Sequence, residues 1–216
     1  MKNTNVKNMV LLAMLAAVAF LLVTLVRIPV VLFLSYEPKD VVIAIGGFLL
    51  GPMASFVISL VVSLLEMFTI STTGPIGAVM NLLSSCTFAC TAAVIYKRKR
   101  TLGGAVLGLA TGSVAMVGIM LLWNYLITPL YMTGTSRSDV AAMLIPVFLP
   151  FNALKAGFNT ALTLLLYKPL VSALRKTGLV KPSQNKSGKS KAGLYLLAAL
   201  LLVTCILLLL VYRGKI

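Results

Sequence analysis

The sequence has no histidine, three cysteines, and only four acidic residues against 19 lysines and arginines. Without histidine a Cys/His metal site is excluded, and Cys86, Cys90 and Cys205 supply too few ligands for a thiolate-only one. Cys86 and Cys90 lie four apart on one helical face, and all three cysteines read as small buried apolar residues. The few carboxylates form no close Asp/Glu cluster for a metal-dependent transferase, and a nucleophile has no obvious base beside it. No Walker A sequence occurs, so ATP hydrolysis by that route is excluded. Charged residues make up only 11% of the chain and hydrophobic ones 60%, with a mean hydropathy of +1.04. A soluble domain of this length does not have such a composition. The chain reads as an all-α, polytopic helical membrane protein with no catalytic residues, metal or cofactor of its own.

The net charge of +15 suggests nucleic acid until its placement is considered. Lys2 and Lys7 precede the first apolar span, Lys97, Arg98, Lys99 and Arg100 follow the fourth, and Lys168, Arg175, Lys176, Lys181, Lys186, Lys189 and Lys191 follow the sixth. If every span crosses once, all of these fall on one side. That is the positive-inside pattern, and it puts the N-terminus in the cytoplasm of a cell-membrane protein. The basic excess then reports topology and contact with anionic lipid, and no nucleic-acid partner is expected. The first apolar segment lacks a convincing cleavage site and is expected to be retained.

Apolar runs bounded by turn residues predict spans at residues 9–26, 40–50, 52–68, 76–96, 102–131, 142–174 and 193–212. The second is short: at ~1.5 Å per residue it covers about half of a ~30 Å hydrocarbon core. It must therefore start inside the fold, and the loop over residues 28–39, with apolar Val30 to Leu34, is expected to dip into the membrane as a lid or plug. Gly51-Pro52 marks a turn, and Pro146 and Pro150 are expected to kink the sixth span. The domain organisation expected is a substrate-binding unit over residues 1–175, a basic linker over 176–192, and an additional span over 193–212.

Polar residues within this hydrocarbon-rich chain are the candidates for function, because an ionisable group at the bilayer centre costs on the order of 3 kcal/mol or more. The segment 35–52, SYEPKDVVIAIGGFLLGP, holds Tyr36, Glu37 and Asp40 and is the first candidate ligand site. Lys155, with Asn152 and Asn159 at minus three and plus four, forms a polar face on the sixth span. Lys155 either pairs with an internal carboxylate, Glu66 or Glu37, or donates to a ligand. Asn124, between Trp123 and Tyr125, suits a flat hydrogen-bonding heterocycle. Asn81 either lines the site or bridges helices, and Glu66 is either an interfacial charge or a cavity wall. Two small-residue ridges, Ala13/Ala17 and Gly104/Gly108/Gly112, allow close helix approach, within the subunit or to a membrane partner.

The loop Tyr36-Glu37-Pro38-Lys39-Asp40, the run Gly46-Gly47-Phe48-Leu49-Leu50-Gly51-Pro52, the pair Asn152-x-x-Lys155, and Asn124 together resemble one family. It is that of the substrate-binding membrane subunits (S-components) of energy-coupling factor vitamin transporters, in its riboflavin-binding branch. The resemblance covers residues 7–175. It implies a six-helix bundle that binds its vitamin near the outer face, under the loop after the first span. It also implies partners: a coupling transmembrane subunit and two ABC-type ATPases, with transport by toppling of the S-component. By the same match Glu37, Asn124, Asn152 and Lys155 contact riboflavin as transported ligand, and Ala13 and Ala17 form the docking surface for the coupling subunit. The seventh span departs from the family pattern. It would put the C-terminus, with Arg213 and Lys215, outside the cell. Rival readings are the same fold serving thiamine, biotin or pantothenate, and a membrane scaffold without ligand.

Overall fold

The computed structural model describes residues 2–71, 73–132, 134–176 and 192–212. The expected linker over 176–192 lies almost wholly outside them, as do Arg213 and Lys215. The elements are α1 (Lys2–Leu25), β1 (Ile28–Val31), β2 (Leu34–Tyr36), α2 (Lys39–Leu50), α3 (Pro52–Thr69), α4 (Gly74–Lys99), α5 (Leu102–Tyr131), α6 (Arg137–Met143), a π-helical segment (Leu144–Phe148), α7 (Leu149–Lys176) and α8 (Ala192–Tyr212). Five helical stretches among the described residues are long and apolar enough to cross a membrane, with α6, the π-helical segment and α7 counted as one, and Tyr195–Leu210 is a shorter apolar stretch.

The bundle is organised around α2. Its 12 residues span about 18 Å, and those from Lys39 to Phe48 are all buried. It packs against α1, α3, α4 and α7. The glycines of the Gly46-Gly47 pair admit those neighbours: a Cβ on Gly47 would stand 2.8 Å from Ala93 Cβ, and one on Gly46 would stand 2.7 Å from Ile58 Cδ1. Gly51 ends the helix at φ 103°, a left-handed conformation that favours glycine. Pro52 then starts α3 at a position where its missing N–H costs nothing.

The glycine ridge of α5 faces inward. A Cβ on Gly108 would lie 2.6 Å from the Ala92 carbonyl oxygen. Gly112 meets the Phe88 carbonyl oxygen in the same way. The ridge therefore serves close packing of α4 on α5. Ala13 and Ala17, by contrast, are exposed on α1, while Ala16 beside them is buried.

One expectation needs correction. Residues 28–36 form no irregular plug but an antiparallel hairpin, with Ile28 opposite Tyr36 and Val31 opposite Leu34. Its tip carries Leu32 at φ 50° in place of the Asn-Gly or Asp-Gly that announces such turns. Side-chain packing on α7 and its leading segment holds it: Phe33 lies 6.4 Å from Phe148 and Tyr36 lies 5.1 Å from Phe158, ring centre to ring centre. The predicted kink of the sixth span is a π-helical turn that contains Pro146, followed by Pro150 in the first turn of α7. Neither proline can donate the N–H that an α-helix needs there, so the widened turn accommodates the mismatch.

The extra helix α8 packs on α7. Cys205 sits so close to Gly157 that a Cβ there would stand 2.6 Å from its sulfur. Cys205 also joins Tyr36, Leu154 and Phe158 in one buried cluster, so α8 backs the base of the hairpin.

Candidate functional site

A crevice with about 630 Å³ of empty space, its mouth included, opens at the hairpin end of the bundle. This is the end opposite the basic cluster Lys97, Arg98 and Lys99, which closes α4. The hairpin and the chain flanking it supply Arg27, Phe33, Leu34, Ser35 and Glu37; α3 and α4 supply Glu66, Met80, Asn81 and Ser84; α5 and α7 supply Met120, Phe151, Asn152 and Lys155. The wall is thus mainly polar and charged, with Phe33, Leu34, Ile70, Met80, Met120 and Phe151 as its apolar part.

A charge network runs through the wall of the crevice, with Lys39 behind it. Lys39, the first residue of α2, is fully buried. Its ammonium donates to both Glu66 oxygens, at 2.5 and 2.6 Å. It also lies 3.1 Å from Glu37 Oε2, an ion pair without hydrogen-bond alignment. Arg27 completes the cluster, with Nε 3.3 Å from Glu37 Oε1. Its Nη1 donates to the Ile70 carbonyl oxygen at 3.0 Å, which ties the end of α1 to the end of α3 across the mouth. Asn81 Nδ2 donates to Glu66 Oε2 at 2.7 Å.

The next residue of α2, Asp40, organises a second group. Its carboxylate accepts from Ser85 Oγ at 2.5 Å and from Asn159 Nδ2 at 3.0 Å, and lies 3.6 Å from Lys155 Nζ. Asn159 Oδ1 in turn accepts from the Tyr36 hydroxyl at 3.2 Å. Burial, then the Asp40 carboxylate and Cys205, holds the Tyr36 phenol well above its ordinary range, so it stays a donor. The two groups join three cations, Arg27, Lys39 and Lys155, to three carboxylates, Glu37, Asp40 and Glu66. The remaining acid, Asp139, caps α6.

Of the residues the sequence singles out, Glu37, Asn81, Asn152 and Lys155 line the crevice. Tyr36, Asp40 and Asn159 form the buried layer behind it. Asn124 is buried on α5, where its amide donates to the Met120 carbonyl oxygen at 2.7 Å and its oxygen accepts from Thr128 at 3.1 Å; it is not among the lining residues. The internal partner expected for Lys155, Glu66 or Glu37, is corrected to Asp40. The reason is packing: α2 lies against α7, and Lys39 already engages both glutamates. Glu66 is a cavity wall and ion-pair partner, and no interfacial charge.

Sequence reasoning missed Arg27, Lys39 and Ser84. Lys39 carried a signal, since it stands at the head of a helix too short to reach the membrane surface. Serine carries none, because its hydropathy is near neutral whichever way it points.

Residues 7–167 match the family model described as ECF transporter, substrate-specific component. Over 178 residues the chain is 29% identical to the riboflavin transporter RibU of Staphylococcus aureus (strain TCH60), covering 79% of this chain and 93% of that protein. It is 26% identical over 186 residues to the riboflavin transporter FmnP of Bacillus subtilis (strain 168), covering 79% and 97%. A solved structure, reported as the structure and mechanism of the S component of a bacterial ECF transporter, superposes with a TM-score of 0.66 at 29% identity. That match covers 81% of this chain and 99% of the solved one.

Proposed function

The chain belongs to the family of ECF transporter substrate-specific components, and from that premise we propose that it captures riboflavin in the crevice beneath the hairpin for uptake across the cell membrane. It is a membrane-embedded transport subunit and not an enzyme. Transport is energised by an energy-coupling module, in our reading one coupling transmembrane subunit and two ABC-type ATPases. The basic residues at the far end of the bundle support an orientation with the N-terminus in the cytoplasm and the crevice facing outward.

The observation that carries the ligand reading is the convergence of Glu37, Asn152 and Lys155 on one crevice whose remaining walls include Phe33, Phe151, Met80 and Met120. Isoalloxazine is flat and apolar on its faces, with carbonyl and imide groups along one edge. Aromatic and thioether side chains cover such faces, Lys155 and Asn152 suit the edge, and Glu37 suits the ribityl hydroxyls. Ala13 and Ala17, exposed on α1, are the proposed docking face for the coupling subunit. Residues 1–175 form the substrate-binding unit in this reading. Helix α8 lies beyond the matched region and packs on α7, which leaves the Ala13/Ala17 face of α1 open.

The test is purification from a riboflavin-replete host. The protein is expected to be yellow, or to quench added riboflavin fluorescence, and Lys155→Ala is expected to weaken binding by more than tenfold. A colourless preparation that leaves riboflavin fluorescence unchanged, or one that binds thiamine, biotin or pantothenate instead, overturns the reading.

A further inference from the structure

We propose that Ser84 is a ligand-binding and specificity-determining residue, whose hydroxyl bonds the polar edge of the heterocycle deep in the crevice; this rests on the riboflavin reading above. Ser84 lies on α4 about one turn deeper than Asn81. It is 2% exposed, it lines the crevice, and its hydroxyl has no hydrogen-bond partner among the described residues. A buried hydroxyl left unpaired is destabilising, so one that persists at a cavity wall points to a partner that arrives from outside the chain.

A helical hydroxyl in a membrane has an easy alternative, since it can turn back to the carbonyl four residues earlier. Thr69, Thr87, Thr111 and Thr163 all do this here. Ser84 does not. Its neighbours are committed: Ser85 donates to Asp40, Asn81 donates to Glu66, and Asn152 donates its amide to the Phe148 carbonyl oxygen. Ser84 therefore offers the crevice an uncommitted group that both donates and accepts. The pyrimidine edge of a flavin carries carbonyl acceptors and an imide donor, and either satisfies it. A ring lacking that edge would leave the hydroxyl unpaired, which is the physical basis for rejecting it.

An internal control exists. Ser63 on α3 is also buried with a hydroxyl that has no partner among the described residues, but it does not line the crevice. The experiment compares wild type, Ser84→Ala, Ser84→Cys and Ser63→Ala as full-length proteins in detergent. It measures riboflavin Kd by fluorescence quenching, and Tm with and without riboflavin. Ser84→Ala is expected to raise Kd about tenfold, the worth of one good hydrogen bond. Its Tm without ligand is expected to hold or rise, while its ligand-induced Tm increase shrinks. Ser84→Cys, which keeps a weak donor at the same place, should fall between the two. Ser63→Ala should keep Kd within about twofold. Unchanged affinity in both Ser84 variants, an equal loss in Ser63→Ala, or a fall in the ligand-free Tm of Ser84→Ala would each overturn the proposal while wild-type binding stands. Absence of riboflavin binding by wild type overturns the functional reading itself, and the Ser84 assignment with it.

Discussion

Replacing Lys39 with methionine tests whether the buried charge network is as tightly coupled as its geometry states. Lys39 is fully buried, and Glu37 and Glu66 beside it are only 4% and 2% exposed. Methionine fills nearly the same space, so the perturbation is the loss of one charge and not a cavity. Glu66 then keeps only the Asn81 amide at 2.7 Å, and Glu37 keeps only Arg27 at 3.3 Å. Removing one partner of a buried pair costs about 3–5 kcal/mol, because the other charge stays behind without compensation. At roughly 2–4 °C per kcal/mol for a chain of this size, Tm in detergent should fall by roughly 6–20 °C. The Lys39→Met/Glu66→Met double variant removes both ends of the tightest pair. It should therefore be more stable than Lys39→Met alone, with a coupling energy of about 2–3 kcal/mol in the double-mutant cycle. Thermal unfolding followed by tryptophan fluorescence or light scattering reads all four proteins. A Lys39→Met Tm within about 2 °C of wild type would refute the argument, as would strict additivity in the cycle.

Other outcomes follow from single contacts. Gly108→Val forces a Cβ into the Ala92 carbonyl oxygen, 2.6 Å away, so it should lower Tm by separating α4 from α5 at a cost of about 1–3 kcal/mol or more. Gly157→Leu should push α8 off α7 through the 2.6 Å approach to Cys205. Labelling of Cys205 by a maleimide, mapped by mass spectrometry, should then rise well above wild type; unchanged protection would mean that α8 is held elsewhere. Ala17→Trp, on the exposed face of α1, should leave riboflavin affinity within about twofold while abolishing co-purification with the energy-coupling module. Retained co-purification would move the docking face off α1.

Helix placement was legible because hydropathy and breakers act locally. Span five was expected at 102–131 and is found at Leu102–Tyr131; the short second span was expected from residue 40 and starts at Lys39. Gly51-Pro52 announced its turn because only particular residues tolerate that backbone. The hairpin was not legible, since Leu32 and Phe33 at its tip carry no turn signal and its strands are held by packing against α7 and its leading segment. The glycine ridge left open whether it served a neighbour helix or another subunit, and only the position of Ala92 decided that.

The same division runs through the site. Composition, charge placement and the family motifs were enough to determine a polytopic membrane protein with its polar residues gathered around the segment after the first span. Which charge meets which was decided by tertiary structure alone. Lys155 faces Asp40, Lys39 holds Glu66, and Asn124 is satisfied within α5. Such pairings depend on the rotation and depth of each helix, set by side-chain packing across the bundle, and a periodic pattern along one helix carries no record of what stands opposite it.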